Sequence, residues 1–206
     1  MADLIPLAYD KASGVPVGLK EYAAADRIPA QYLTAQPPNL FGTYASRPAA
    51  SAVTVGSLYW ASDTKEIYRS DGSAWSRVGI TSGRIASAEL TTPYSISSST
   101  PTAIPGMTLQ ITAGEVPASV QYGGTMKYGT TSANGVVSLY CDGTVIGSIL
   151  IGLTGYNSFA ALATIPAKTP GSLVNLELRA YSQNGTSALD IFGNIADKPY
   201  MRVVPN

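Results

Sequence analysis

The chain contains no histidine. That removes the commonest general acid–base side chain near neutral pH and the commonest metal ligand. It holds one cysteine, Cys141. One cysteine forms no internal disulfide, and without histidine it completes neither a Cys/His zinc set nor a Cys–His nucleophile pair. Charge is scarce too: Asp, Glu, Lys and Arg make up 13% of the chain, against roughly 25% in an average globular domain. Basic and acidic residues number 13 each, so the net charge is zero. With no basic cluster, neither nucleic acid nor a membrane surface is an expected partner. A surface so poor in charge is expected to face other protein over much of its area. The most apolar run, Ile149–Leu153, is far shorter than the roughly 20 residues of a membrane helix. The opening Met1-Ala2-Asp3-Leu4-Ile5-Pro6 lacks the basic and apolar regions of a signal peptide, so assembly in a cytoplasm is expected.

Serine, threonine, glycine and tyrosine take the place of charge, and they favour strands and turns over helices. Hydrophobic residues reach 45% of 206 residues, enough to bury a real core. No helical period of useful length occurs, so an all-β protein in three parts is expected. Residues 1–40 contain Pro6, Pro16, Pro29, Pro37 and Pro38, which bar a long helix or a central strand. The apolar residues there include Leu4, Ile5, Leu7, Val15, Val17 and Leu19. They are too many for a solvated tail and too scattered for a core. With Tyr9, they read as an extended arm laid on another protein.

Residues 41–79 read as a small three-stranded β-meander. Its strands are Leu58–Ala61, Glu66–Arg69 and Ala74–Val78, with turns at Asp63-Thr64-Lys65 and Asp71-Gly72. A sheet this small is marginal alone and must pack on a neighbour. Residues 80–206 carry the strongest strand signals. Asp142-Gly143 separates Val136–Cys141 from Thr144–Ile149, a hairpin whose turn needs positive φ at both central residues. In Val174–Ala180, apolar Val174, Leu176, Leu178 and Ala180 alternate with Asn175, Glu177 and Arg179. Asn184-Gly185 turns the chain into Ala188–Phe192, and Tyr200–Val204 is the last strand. Met107–Thr112 and Tyr122–Tyr128 complete the set. About seven to nine strands with such turns indicate an antiparallel β-sandwich of jelly-roll type.

Three stretches carry a family resemblance: Ser46-Arg47-Pro48-Ala49-Ala50, Gly56-Ser57-Leu58-Tyr59-Trp60-Ala61-Ser62-Asp63-Thr64, and Ile67-Tyr68-Arg69-Ser70-Asp71-Gly72-Ser73-Ala74-Trp75. Together they resemble a small module common in bacteriophage tail-fibre and other virion proteins. Leu4–Asp10 through Gly14 resembles the N-terminal anchors of phage decoration and fibre proteins. The pattern of the last part is similar to the jelly-roll or tumour-necrosis-factor-like sandwiches that end phage fibres and cap capsid trimers. The resemblance implies a homotrimer on the virion surface. Its arm would hold the major capsid protein or another virion protein, as in a capsid decoration (cement) protein. The alternative it implies is a head- or tail-fibre protein that recognises a host surface glycan.

No catalytic constellation emerges, and neither a cofactor nor a metal is expected. No phosphate-binding loop precedes a helix, and no acidic loop has calcium spacing. Asp63, Glu66 and Asp71 lie close in sequence, as paired glycosidase carboxylates must in space. However, Asp63 and Asp71 sit where aspartate serves turns. Cys141 belongs to an alternating strand, where a small buried hydrophobe is expected. Trp60, Trp75 and Tyr156 are candidates for stacking on sugar rings, with Tyr59 and Tyr68 beside them. The competing reading makes the rings the core of the small sheet. The distal loops assigned to a glycan are Ile151–Ser158 and Tyr94–Pro105. Glu177 and Arg179 read as a solvated face, the alternative being a polar layer at a subunit boundary.

Overall fold

The computed structural model describes residues 37–206 apart from positions 82, 129–133, 153–154, 186 and 193–197. The expected arm residues Leu4, Ile5, Leu7, Tyr9, Val15, Val17 and Leu19 lie outside the described residues. Among those described, all regular structure is β apart from two short 3₁₀ turns, Tyr44–Ser46 and Ala50–Ala52.

The first sheet has four strands, β1 (Asn39–Gly42), β2 (Leu58–Ala61), β3 (Glu66–Ser70) and β4 (Trp75–Ile80), in that order. β2, β3 and β4 are the meander read from the sequence. β1 is an addition to it, and it pairs with β2 in parallel. Parallel pairing needs a long connection and leaves no local turn signature, which is why Asn39–Gly42 did not read as a strand. The turns follow aspartate chemistry. Asp63 Oδ1 accepts the Tyr44 N–H at 2.8 Å and the Thr64 N–H at 3.1 Å. Asp71 Oδ1 accepts the Ser73 and Ala74 N–H groups at 2.8 and 2.7 Å. One face of the sheet buries Tyr59, Ala61 and Tyr68, with Leu40, Tyr44 and Trp75 packed against them.

The remaining strands form two facing sheets. One has the order β10 (Thr144–Ile151), β9 (Gly135–Cys141), β12 (Leu173–Ser182), β7 (Thr102–Thr112), with every pairing antiparallel. The other is centred on β8 (Ser119–Tyr128). Along one edge of β8 runs β11 (Gly155–Thr164). The other edge is shared by β14 (Tyr200–Val204) and β13 (Leu189–Ile191), which pair outward with β5 (Ala86–Glu89) and β6 (Tyr94–Ile96). The two inner faces meet in one apolar core containing Ile104, Met107, Val120, Tyr122, Met126, Leu139, Leu176, Leu178, Leu189 and Met201. The arrangement is an all-β, β-sandwich-like one.

Local rules place most of these strands. In β12 the inward set is Val174, Leu176, Leu178, Ala180 and Ser182, all buried. At the β9–β10 turn, Asp142 and Gly143 have φ of 48° and 80°, the pair of positive values that such a hairpin demands. β7 begins five residues before the expected Met107, at Thr102, and runs through Pro105 and Gly106. It can do so because β7 is an edge strand, where proline's missing N–H costs no ladder bond. Its register with β12 also shifts between Glu177 and Arg179, which absorbs the irregular stretch. The loops assigned to a glycan shrink accordingly. Residues 94–96 are β6, Thr102–Pro105 belongs to β7, and Gly155–Ser158 opens β11. β11 escaped notice because its outward side carries Tyr156, Ala160 and Leu162, which blurs the apolar–polar alternation.

Candidate binding face

Among the described residues, Glu66 is the carboxylate whose surroundings depart most from a surface group. It is 2% exposed. It accepts the Tyr68 hydroxyl at 2.5 Å, the Glu115 N–H at 3.0 and 3.1 Å, and the Val116 N–H at 3.2 Å. Arg77 Nε faces it at 3.3 Å. The carboxylate thus ties the small sheet to the loop between β7 and β8. Gly114 makes the approach possible, because a Cβ there would stand 2.7 Å from Glu66 Oε2. Burial and the Glu66 hydrogen bond hold the Tyr68 phenol far above its ordinary pKa. The Glu66 carboxylate faces protein donors, Asp63 serves its own turn and the Tyr44 N–H, and Asp71 serves its own turn. This is a structural clasp, not a pair of carboxylates across a substrate cleft.

The aromatic candidates separate. Trp75 turns inward, stacked edge-on to Tyr59 at 5.9 Å, and its Nε1–H donates to the Pro48 carbonyl at 2.7 Å. Arg47 lies over Tyr68 and Tyr44 at 4.1 and 4.6 Å, so these rings form a small packed core around one guanidinium. Trp60 points the other way and is 48% exposed. It lies in register between Phe41 and Ile67. Phe41 is 75% exposed, so the outer face of the small sheet carries an uncovered apolar row. Tyr156 lies on neither face of that sheet. It stands on β11, 68% exposed, 5.2 Å from the Phe192 ring and 5.7 Å from Lys127 Nζ.

Tyr156 belongs to the outer face of the β8 sheet, and the register lays that face out in rows. Lys127 is opposite Tyr156, Thr125 opposite Ser158, Gly123 opposite Ala160 and Gln121 opposite Leu162. Across the other edge of β8, Tyr200 lies beside Gly123 and Arg202 beside Gln121. Glu89 and Ser87 follow outward on β5. Gly123 has a physical reason: a Cβ there would meet the Tyr200 ring at 3.1 Å and the Phe159 carbonyl at 2.6 Å. With glycine the ring can lie across the strand. Arg202 in turn stacks on Tyr200 at 4.4 Å. An open groove beside this stack is lined by Glu89, Ser158, Phe159, Lys198, Tyr200 and Arg202. Aromatic, hydroxyl, carboxylate and cationic groups therefore converge on a face whose floor is glycine and alanine.

Tyr200 and Arg202 were not singled out in the sequence. The signal present was the alternation in Tyr200-Met201-Arg202-Val203, which puts Met201 and Val203 in the core and the other two outside. Cys141 is buried, and burial first of all raises its thiol pKa. Glu177 and Arg179 pair at 2.6 Å. Among the described residues no cluster of three or more His, Cys, Asp or Glu could hold a metal.

No protein-family model matches the chain, and no curated protein matches it in sequence. Solved structures with some likeness include two kinds. One is the CBM36-1 domain of a multidomain xylanase from the hindgut metagenome of Trinervitermes trinervoides. It is 10% identical, covering 59% of this chain and 97% of that one, with a TM-score of 0.34. The CBM22-1 xylan-binding domain from Paenibacillus barcinonensis is 12% identical over 63% of this chain and 99% of that one, at 0.27. The other kind is infectious bursal disease virus, Gt strain, 16% identical over 66% of this chain and 43% of that one, at 0.26. TM-scores this low assign neither a fold family nor a ligand.

Proposed function

We propose that this chain is a non-catalytic structural protein of a bacteriophage particle whose sandwich recognises a glycan on the host surface. The observation that carries the binding half is the outer face of the β8 sheet, where Tyr200, Ser158, Arg202, Lys198 and Glu89 surround a groove that includes Gly124, with Tyr156 exposed further along the same face. Sugar recognition uses flat apolar surface for ring faces, with a few fixed polar groups for hydroxyls. The phage half rests on the resemblance of residues 46–75 to the virion module. In this reading the sandwich is of jelly-roll type and three copies associate, so that weak single sites gain avidity. The arm fastens the trimer to the particle and leaves the sandwich on the virion surface.

A microarray of bacterial surface oligosaccharides, probed with the full chain, tests this. Discrete structures are expected to be retained, and Ser158→Trp, which fills the groove from an exposed position, is expected to abolish retention. A blank array, or equal retention by the variant, refutes it.

The second reading is a capsid decoration protein bound to the major capsid protein. The observation favouring it is the uncovered row Phe41–Trp60–Ile67 on the small sheet, an apolar surface suited to burial against protein. Copy number per virion separates the two readings. Hundreds of copies, scaling with the major capsid protein, mean decoration. A few to a few tens mean a fibre.

A further inference from the structure

The fold builds the same tyrosine–arginine stack twice, once on the outer face of each sandwich sheet. On the β9–β12 sheet, Arg179 lies 4.3 Å over Tyr140, and its Nε donates to Glu177 at 2.6 Å. That guanidinium is stacked and has its carboxylate. On the β8 sheet, Arg202 lies 4.4 Å over Tyr200. Its best carboxylate, Glu89, stands at 3.6 Å, beyond hydrogen-bond distance. Its Nε is buried without an acceptor among the described residues. Arg202 is therefore held flat by its tyrosine with only a loose ion pair to Glu89, and the exposed third of its side chain, not the buried Nε, is what a ligand in the groove can reach. Lys198, exposed on the rim of the same groove, has no ion-pair partner among the described residues. Two cations and one carboxylate thus line the groove, in a chain whose net charge is zero.

From this we infer that the groove takes an acidic saccharide, with the carboxylate of a uronic or sialic acid residue on Arg202 and Lys198. This rests on the glycan-binding reading and narrows its ligand class. A planar guanidinium fixed by stacking pays little entropy to meet a carboxylate, and such charge-assisted pairs are the stronger hydrogen bonds. Lys198 adds a second charge from the rim without fixing direction. The Tyr200 hydroxyl, and the Ser158 hydroxyl beside its 3.1 Å bond to Thr125, face sugar hydroxyls. The Tyr200 ring gives the groove its apolar wall.

Calorimetric titration of the full chain tests the inference. The probes are oligogalacturonate, oligosialic acid and a hyaluronan oligosaccharide, each beside its carboxyl-reduced counterpart. At least one acidic probe is expected to bind ten-fold or more tightly than its reduced form, with affinity falling as salt rises. Arg202→Gln and Lys198→Gln are each expected to cost five-fold or more for that probe while the melting temperature stays unchanged. A drop in melting temperature with unchanged affinity makes Arg202 a merely structural group and overturns the inference. Equal binding of acidic and reduced forms overturns it too, and leaves glycan recognition standing. Failure of every probe, acidic and neutral, overturns the inference, and a blank surface-oligosaccharide array then removes the broader reading as well.

Discussion

Replacing Glu66 by alanine is expected to destabilise the protein by about 3–5 kcal/mol. The carboxylate is 2% exposed and serves the Tyr68 hydroxyl, the N–H groups of Glu115 and Val116, and the Arg77 guanidinium. Its loss strands three donors in a place with little water. Each stranded donor costs about 1–3 kcal/mol. The costs do not add fully, because the space vacated by the side chain admits water to some of them. Arg77 keeps a quarter of its side chain in solvent, at 26%, so the loss of its ion pair adds little. Glu66→Gln keeps one acceptor oxygen and points an amide N–H at backbone donors, so about half the loss is expected. Tyr68→Phe removes one hydroxyl and leaves the carboxylate its other partners, for about 1–1.5 kcal/mol. Urea denaturation read by tryptophan fluorescence and far-ultraviolet dichroism supplies the numbers. Trp75 reports on the small sheet, where it packs against Tyr59. If the small sheet detaches first in the variant, the fluorescence transition precedes the dichroism one. A loss below about 1 kcal/mol for Glu66→Ala would show that the clasp is solvated and that packing alone joins sheet to sandwich.

Three further outcomes follow from the same structure. The phenols of Tyr68 and Tyr122 are raised by burial, so the native state keeps their protons after the unfolded chain begins to lose them. Their contribution to stability is therefore complete below about pH 10 and declines above it. Tyr68→Phe should flatten that alkaline decline in melting curves, and an unchanged slope contradicts the burial argument. Cys141 is buried with its thiol pKa raised, so iodoacetamide at neutral pH should label it only at the rate of unfolding. Gly143→Ala forces a side chain onto a φ of 80° and is expected to cost about 1 kcal/mol in chemical denaturation. No clash accompanies it, since nothing stands within 4 Å of the added carbon.

Much of this protein was open to reading from the sequence, because strand signals are local. Side chains alternate with period two, and Asp-Gly supplies the positive φ that a tight hairpin needs; β9, β10, β12 and the meander follow from these facts alone. What stayed hidden depends on pairings between distant segments. β1 joins β2 in parallel without a turn to announce it. Trp60 and Trp75 looked alike as candidates, and only the packed sheet decided that one ring faces solvent and the other the Arg47 cluster. Glu66 read as one acid among three until the loop after β7 came up against it. The groove is the clearest case. Glu89, Ser158 and Arg202 come from three strands well separated along the chain, and β8 and β14 set their spacing by register. Alternation told which residues leave the core. It could not tell which of the outward ones become neighbours, because that is decided by strand order, which no local propensity encodes.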